Sequence, residues 1–265
     1  LYTPPMNPAP PSQAQPLNSL SLIIPVYNEA DRVQALLEAL ARVPWPSSLQ
    51  HIEYLLVDDG STDETLAILE GWCREHPEYR LLRQKGNRGK GAAIHLGLKE
   101  AVGQAVGIQD ADMELLPSDW PSMLQALALP GIGMVNGSRY LPGLYRPLHS
   151  YRRYIANKLF SWLTSLLIDI RITDMACGHK LLRRDLMLSL DLCEERFGVE
   201  SEILIKSARI RRNHIVEIPV HYFARHQGEG KKFRTVDGLG ILWKIIRYSL
   251  APLPPSALRY RTQGN

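Results

Sequence analysis

The sequence predicts an α/β protein: a mostly parallel sheet flanked by helices, built as a single domain. Two patterns carry this. From Ser19 to Ser138, short apolar runs alternate with segments of helical period, as successive βαβ units do. The polar clusters of this half fall directly after the apolar runs, where open α/β sheets gather ligands beyond the carboxyl ends of their strands. A chain of 265 residues, 45% hydrophobic and 22% charged, is long and apolar enough to bury one sizeable core.

Residues 1–18 are rich in Pro, Gln, Ser and Asn. They bring too little apolar surface to offset the entropy of ordering and are expected to form a disordered tail. Strands are expected at Leu20–Val26, Ile52–Val57, Tyr79–Arg83, Ala105–Gln109 and Gly133–Asn136, each a short apolar or alternating run. Helices are expected between them at Glu29–Arg42, Asp63–Glu75, Lys90–Ala101 and Ser118–Ala128. The second half is less regular: a long, unusually apolar helix at Tyr151–Ile168, a helix at Gly198–Arg211, a strand at His214–Phe223 and a helix at Val236–Leu250. Pro252, Pro254 and Pro255 end the last of these. One domain is thus expected over 19–250, with a first half at 19–138, a second half at 139–250 and a C-terminal tail at 251–265.

The N-terminal residues lack the charged and apolar regions of a secretory signal, and no stretch offers the roughly 18 apolar residues a spanning helix needs. A cytoplasmic protein is expected, able to sit peripherally on the cytoplasmic face of a membrane. The three cysteines, Cys73, Cys177 and Cys193, form no CxxC pair, which argues against a disulfide framework or a zinc site. The net charge of +4 is modest, but Arg152, Arg153, Lys158, Arg183, Arg184, Arg209, Arg211, Arg212, Lys231, Lys232 and Arg234 crowd the second half. That bias suits phosphate-bearing ligands or an anionic lipid surface. It does not suit nucleic acid, because no aromatic platform or reader motif accompanies it.

Four clusters carry chemistry. Asp110-Ala111-Asp112 follows the strand AVGIQ and places two carboxylates on one turn, a hard-oxygen site for Mg²⁺ or Mn²⁺, with Glu114 two residues on as a further oxygen. Asp58-Asp59-Gly60-Ser61-Thr62-Asp63 can accept hydrogen bonds from a base or ribose at the strand end, while Ser61 or Thr62 caps the next helix. Asn87-Arg88-Gly89-Lys90 is no Walker loop, since Gln84 stands where that loop needs glycine, but it can meet an anion through free backbone N–H groups and positive side chains. Tyr27-Asn28-Glu29 closes the same crevice from the first strand.

SLIIPVYNEA, LLVDDGSTDET, NRGKGAAIHLGL, IQDADMELLPSD and VNGSRY, in this order, resemble the catalytic domain of family-two glycosyltransferases with the GT-A, Rossmann-like fold. ITDMACGHKLLRRDL, RFGVESEIL, EIPVHYFARHQGEGKKF and DGLGILWKIIRY resemble its dolichyl-phosphate mannosyltransferase and polyprenyl-phosphate glycosyltransferase branch. The resemblance implies that Pro25, Tyr27, Glu29, Asp58, Asp59, Lys90 and Asp110 bind the nucleotide sugar, and that Asp110, Asp112 and Glu114 hold the metal. It also implies that Arg139, with Arg152 or Arg153, faces an acceptor phosphate, and that Arg225 and Lys231 meet the leaving diphosphate. Gly230 stands where many members have Ser, which leaves the register of Lys231 against Lys232 open.

Transfer to a hydroxyl needs a carboxylate base, and the QxxRW segment that accompanies the base in processive synthases is missing here. A phosphate acceptor is already anionic and needs cations to hold it in line. The expectation is therefore inverting transfer of a hexose from a nucleotide-diphosphate donor, GDP-mannose or UDP-glucose, to polyprenyl phosphate, with Asp112, Arg139, Arg225 and Lys231 as the catalytic group. Two rivals stay open: a soluble transferase using Glu200 or Glu202 as base toward a hydroxyl, and a non-catalytic nucleotide-sugar-binding module. YRRYIANKLFSWLTSLLI and the Trp243–Leu250 helix, each both basic and aromatic, read as contacts to a membrane surface or as core helices.

Overall fold

A computed structural model describes residues 17–144, 150–196, 198–210, 215–224 and 235–263. In chain order its elements are β1 (Ser19–Val26), α1 (Ala30–Ala41), β2 (His51–Asp58), α2 (Thr65–Glu75), β3 (Tyr79–Arg83), α3 (Lys90–Glu100), β4 (Ala105–Ile108), α4 (Trp120–Leu127) and β5 (Met134–Ser138). They continue with α5 (Tyr151–Ile168), β6 (Lys180–Arg183), α6 (Arg184–Ser189), α7 (Val199–Ile210), β7 (Ile215–Pro219), α8 (Thr235–Leu250) and α9 (Pro255–Gln263).

The strands form one seven-stranded sheet in the order β3-β2-β1-β4-β6-β5-β7. β3, β2, β1 and β4 are mutually parallel, as are β5 and β7, while β6 runs antiparallel to both its neighbours. β1 shows why its residues are apolar without alternation. Ile23 points into a core beneath α3, α6, α7 and α8, whereas Leu22 and Ile24 point into a second core beneath α1, α2 and α4. A strand covered on both faces has no polar side to show. α1 buries Val33, Leu36, Leu37 and Leu40, one helical stripe laid on the second core.

The expected parallel half is present within a residue or two at each boundary. Three elements went unanticipated. β6 and α6 are short, and β6 is recognisable only once Lys180 to Arg183 pair with Ile108 to Ala105. The segment expected as a C-terminal tail, 251–265, instead carries α9. It packs Ala257 fully into the core beside α6 and α7, and Ser256 Oγ donates to the Ser189 carbonyl at 2.8 Å. The strand expected over His214–Phe223 pairs only as Ile215–Pro219, after which Tyr222 makes an isolated bridge to Leu115. Among the described residues, no helix is long and apolar enough to cross a membrane.

Candidate active site

The loops at the carboxyl ends of β1 to β4 are stitched together in chain order. Asn28, in a left-handed conformation at φ 53°, donates its backbone N–H to Ser61 Oγ at 3.0 Å and accepts the Thr62 N–H on its Oδ1 at 2.8 Å. Thr65 Oγ1 and Asp63 Oδ2 accept the N–H groups of Glu29 and Ala30, so the first turn of α1 is capped from the neighbouring loop. Asp63 also accepts the Thr65 N–H at 3.0 Å. Ser61 and Thr62, expected to cap α2, are committed to Asn28 instead.

Asp58 and Asp59 are both buried. Asp58 holds its own turn by accepting the Ser61 N–H, and Asp59 accepts the N–H groups of Arg88 at 2.8 Å and Gly89 at 2.7 Å. Gly60 makes this turn possible: its φ is +73°, and a Cβ there would lie 2.6 Å from the Gly86 Cα. The start of α3 was expected to offer free N–H groups to an anion. Two of those groups are taken by Asp59, and the Ala92 N–H donates to the Glu195 carbonyl at 2.9 Å. The anion at this helix terminus is the protein's own carboxylate.

Lys90 closes the third link. Its ammonium contacts Asp110 Oδ1 and lies 2.7 Å from Glu200 Oε1 at the start of α7. Burial alone would lower the Lys90 pKa, but the two carboxylates raise it above the usual lysine range. Burial, Asp112 and Glu200 lift Asp110 above the usual carboxylate range against the pull of Lys90, whereas Lys90 holds Glu200 below that range despite burial. The turn that carries the aspartates is braced by Gln109, whose Nε2 donates to the carbonyls of Asp110 at 3.0 Å and Leu115 at 3.1 Å. Gln109 Oε1 accepts in turn from Trp120 Nε1 and from His179 Nε2. Gly178 lies against Asp110 so closely that a Cβ would stand 2.0 Å from Oδ2.

Asp112 accepts the Glu114 N–H on Oδ1 at 3.1 Å. Glu114, expected as a third metal ligand, engages the Tyr222 hydroxyl, and its carbonyl accepts the Phe223 N–H. Among the described residues, no three His, Cys, Asp or Glu side chains are grouped to hold a metal ion. What fits a hard divalent cation is narrower: the Asp110 and Asp112 carboxylates on one turn, with the absent Cβ of Gly178 leaving Asp110 Oδ2 uncrowded. Pro25 is half-buried at the end of β1 and Tyr27 beside it is exposed.

On the other flank, Arg139 follows β5 and is clamped by Asp174: Nε to Oδ2 at 2.7 Å, Nη2 to Oδ1 at 2.9 Å and the backbone N–H to Oδ2 at 3.0 Å. Burial would raise the Asp174 pKa, but Arg139 and the hydrogen bonds bring it below the carboxylate range. Asn157 Nδ2 also donates to Asp174, at 3.0 Å. Arg152 and Arg153 are exposed on the first turn of α5. Several second-half cations turn out to be structural: Arg183 donates to the carbonyls of Ile132 and Leu127, and Arg209 to those of Tyr248 and Ala251. Arg225, Lys231 and Lys232 lie outside the described residues. Of the two candidate bases, Glu202 is fully buried and accepts from the Cys193 and Glu194 N–H groups and from Lys206 Nζ. Glu200 is paired with Lys90. Asp174, which the sequence leaves open between a loop-fixing hydrogen bond and a place near the acceptor, holds Arg139. Gln109, Gly178 and Asn157 are not singled out, because an amide or a glycine carries no chemistry of its own to flag it.

Residues 21–189, more than half the chain, match the profile of glycosyl transferase family 2. The chain belongs to that family. It falls in the dolichyl- and polyprenyl-phosphate branch. The chain is 29% identical over 250 residues to a dolichol-phosphate mannosyltransferase of Pyrococcus furiosus, covering 88% of this chain and 68% of that protein. It is 30% identical over 247 residues to a dodecaprenyl-phosphate galacturonate synthase of Rhizobium johnstonii, covering 88% and 69%. An undecaprenyl-phosphate mannosyltransferase of Micrococcus luteus is 28% identical over 239 residues, covering 86% and 93%. Among solved structures, glucosyl-3-phosphoglycerate synthase of Mycobacterium tuberculosis, crystallised with Mn²⁺, UDP and glucosyl-3-phosphoglycerate, superposes with a TM-score of 0.64 at 21% identity, covering 89% of this chain and 81% of that one. The transferase thus has the GT-A fold that its motifs imply.

Proposed function

We propose that this glycosyltransferase moves a hexose from a nucleotide-diphosphate donor, GDP-mannose or UDP-glucose, to polyprenyl phosphate with inversion at the anomeric carbon. The observation that carries the reading is the pairing of two differently charged flanks: a carboxylate turn, Asp110 and Asp112, at the sheet's carboxyl edge, and a fixed guanidinium, Arg139, after β5. Asp110 and Asp112 would hold Mg²⁺ or Mn²⁺, which when bound neutralises charge on the departing nucleotide diphosphate. Pro25, Tyr27, Glu29, Asp58 and Asp59 line the nucleotide side. Arg139, with Arg152 and Arg153 at the head of α5, orients the acceptor phosphate for in-line attack, and Arg225 and Lys231 meet the diphosphate. With Glu202 saturated by donors and Glu200 bound to Lys90, neither acid is poised as a base, which favours an acceptor that is already anionic.

Incubation of purified protein with labelled donor, Mn²⁺ and polyprenyl phosphate should move label into the organic phase, and Asp112→Asn should abolish that transfer. Label appearing only in a water-soluble glycoside would establish the hydroxyl-acceptor reading instead. Full metal-dependent activity in Asp112→Asn would remove the metal assignment.

The lipid acceptor implies a membrane surface, and α5 is built to meet one. Tyr151, Ile155, Leu159, Trp162 and Leu166 recur every three or four residues along one side and are all exposed, Trp162 at 65%. Exposed Trp243 and Leu250 lie on α8, which packs beside α5. Exposed Arg152, Arg153 and Arg247 supply cations for anionic headgroups.

A further inference from the structure

We propose that Glu217 is a positioning residue for acceptor binding: from β7 it fixes the geometry of Arg139 through Thr173, Asp174 and Ser138. The proposal rests on the acceptor role given above to Arg139.

Glu217 stands opposite Asn136 in the β5–β7 ladder and divides its two oxygens between separate tasks. Oε2 accepts the Thr173 N–H at 2.8 Å and the Thr173 hydroxyl at 2.8 Å. Oε1 accepts Asn136 Nδ2 at 3.0 Å and the Asp174 N–H at 3.4 Å. Thr173 and Asp174 lie in the stretch between α5 and β6 that has neither helix nor strand. With no ladder to hold it, that stretch takes its place from side-chain bonds. Asn136 Nδ2 adds a bond to the Asp174 carbonyl at 2.8 Å.

Two chains of hydrogen bonds therefore end on this one carboxylate, and they bracket Arg139. In the first, Glu217 holds Asp174, and Asp174 grips the Arg139 guanidinium at two points. In the second, the Thr173 hydroxyl donates to Glu217 and so must accept from Ser138 Oγ, 2.6 Å away, while Ser138 Oγ accepts the Tyr140 N–H at 3.2 Å. Ser138 and Tyr140 are the residues on either side of Arg139. An acceptor-only carboxylate sets the direction of every bond in both chains; an amide at 217 would turn its NH2 either toward Thr173 or toward Asn136 Nδ2 and the Asp174 N–H, and each side presents two donors of its own. A negative charge beneath an anion site would oppose that site unless balanced. The amide that Glu217 holds is fixed from its other end by Lys180, fully buried, whose Nζ donates to Asn136 Oδ1 at 2.6 Å and whose pKa burial lowers; the guanidinium of Arg139 answers the Asp174 carboxylate.

The test is steady-state transfer to polyprenyl phosphate by Glu217→Gln, Thr173→Val and Arg139→Ala, with donor binding followed separately by thermal shift. Glu217→Gln should raise the acceptor KM about tenfold, the scale expected when a clamp is displaced without being removed. KM for the donor and the slow hydrolysis of donor by water should stay at wild-type values, which a general loss of structure would not allow. Thr173→Val should shift the acceptor KM in the same direction by less. A wild-type acceptor KM in folded Glu217→Gln, alongside a raised one in Arg139→Ala, would overturn the proposal alone. An unchanged KM in Arg139→Ala would overturn the acceptor role and this proposal with it. Should Glu217→Gln fail to fold, Thr173→Val decides: an unchanged acceptor KM there overturns the relay.

Discussion

Two residues at the site have their function set by what surrounds them. Gly178 is one, because the only space for its Cβ is the space occupied by Asp110 Oδ2. Gly178→Ala should displace that carboxylate, so the donor-dependent rise in melting temperature should disappear while the far-ultraviolet circular dichroism of the free protein is retained. Glu202 is the other. It is a wholly buried carboxylate that takes two backbone N–H groups and the Lys206 ammonium, and it carries the loop whose Glu195 carbonyl caps α3. Glu202→Gln should cost roughly 2–3 kcal/mol of stability by urea denaturation, at or just below the roughly 3–5 kcal/mol that breaking a buried ion pair costs. The value is low because Lys206 keeps the carbonyls of Leu190 and Asp191. A variant that keeps its stability and loses only chemistry would return Glu202 to the role of base.

At the level of elements, α5 and α9 behave oppositely. α5 keeps an apolar stripe in solvent, and replacing Leu159 and Trp162 by Glu should abolish co-sedimentation with anionic vesicles while leaving donor binding intact. α9 hides its small residue: Ala257→Glu would put an unpaired carboxylate into the core beside α6 and α7 and should lower the melting temperature sharply, by the equivalent of several kcal/mol. How far each element could be read in advance follows from where its information lies. β1 to β5 and their helices are legible because each strand is a short apolar or alternating run and each helix places its apolar residues at helical spacing. β6 spans only Lys180 to Arg183 and becomes a strand by pairing with residues more than seventy positions earlier, so nothing local announces it. α9 is written PSALRYRTQ, polar enough to pass for a tail, and only tertiary contact fixes it. The same distinction divides the site. Asp110 and Asp112 are visible as a motif after a strand, whereas the Lys90–Glu200 pair, the Asp174 clamp and the Gly178 contact join distant segments.

The molecule as a whole should be acid-sensitive through a neutral buried histidine. His179 is fully buried, with Nε2 on Gln109, and burial with the nearby Lys90 pushes its pKa down to about 3. The unfolded chain protonates this ring near its ordinary value of about 6.5 while the folded protein does not, so stability is full above that value and falls as pH drops toward 3. Between pH 7 and pH 5 the loss should be about 2 kcal/mol by denaturant titration. His179→Gln should flatten the slope. His95, also lowered by burial, adds in the same sense. Below about pH 4 a second loss should begin, as the unfolded chain protonates Glu200 and Asp174, carboxylates that the folded protein keeps ionised against Lys90 and Arg139.

β6 has one more consequence. It is contributed by the second half of the chain, yet it is inserted between β4 and β5, which belong to the first half. The two halves are therefore laced like the fingers of folded hands. A cut after Ser138 would leave β4 and β5 with an open seam where β6 had run, so neither fragment should refold alone.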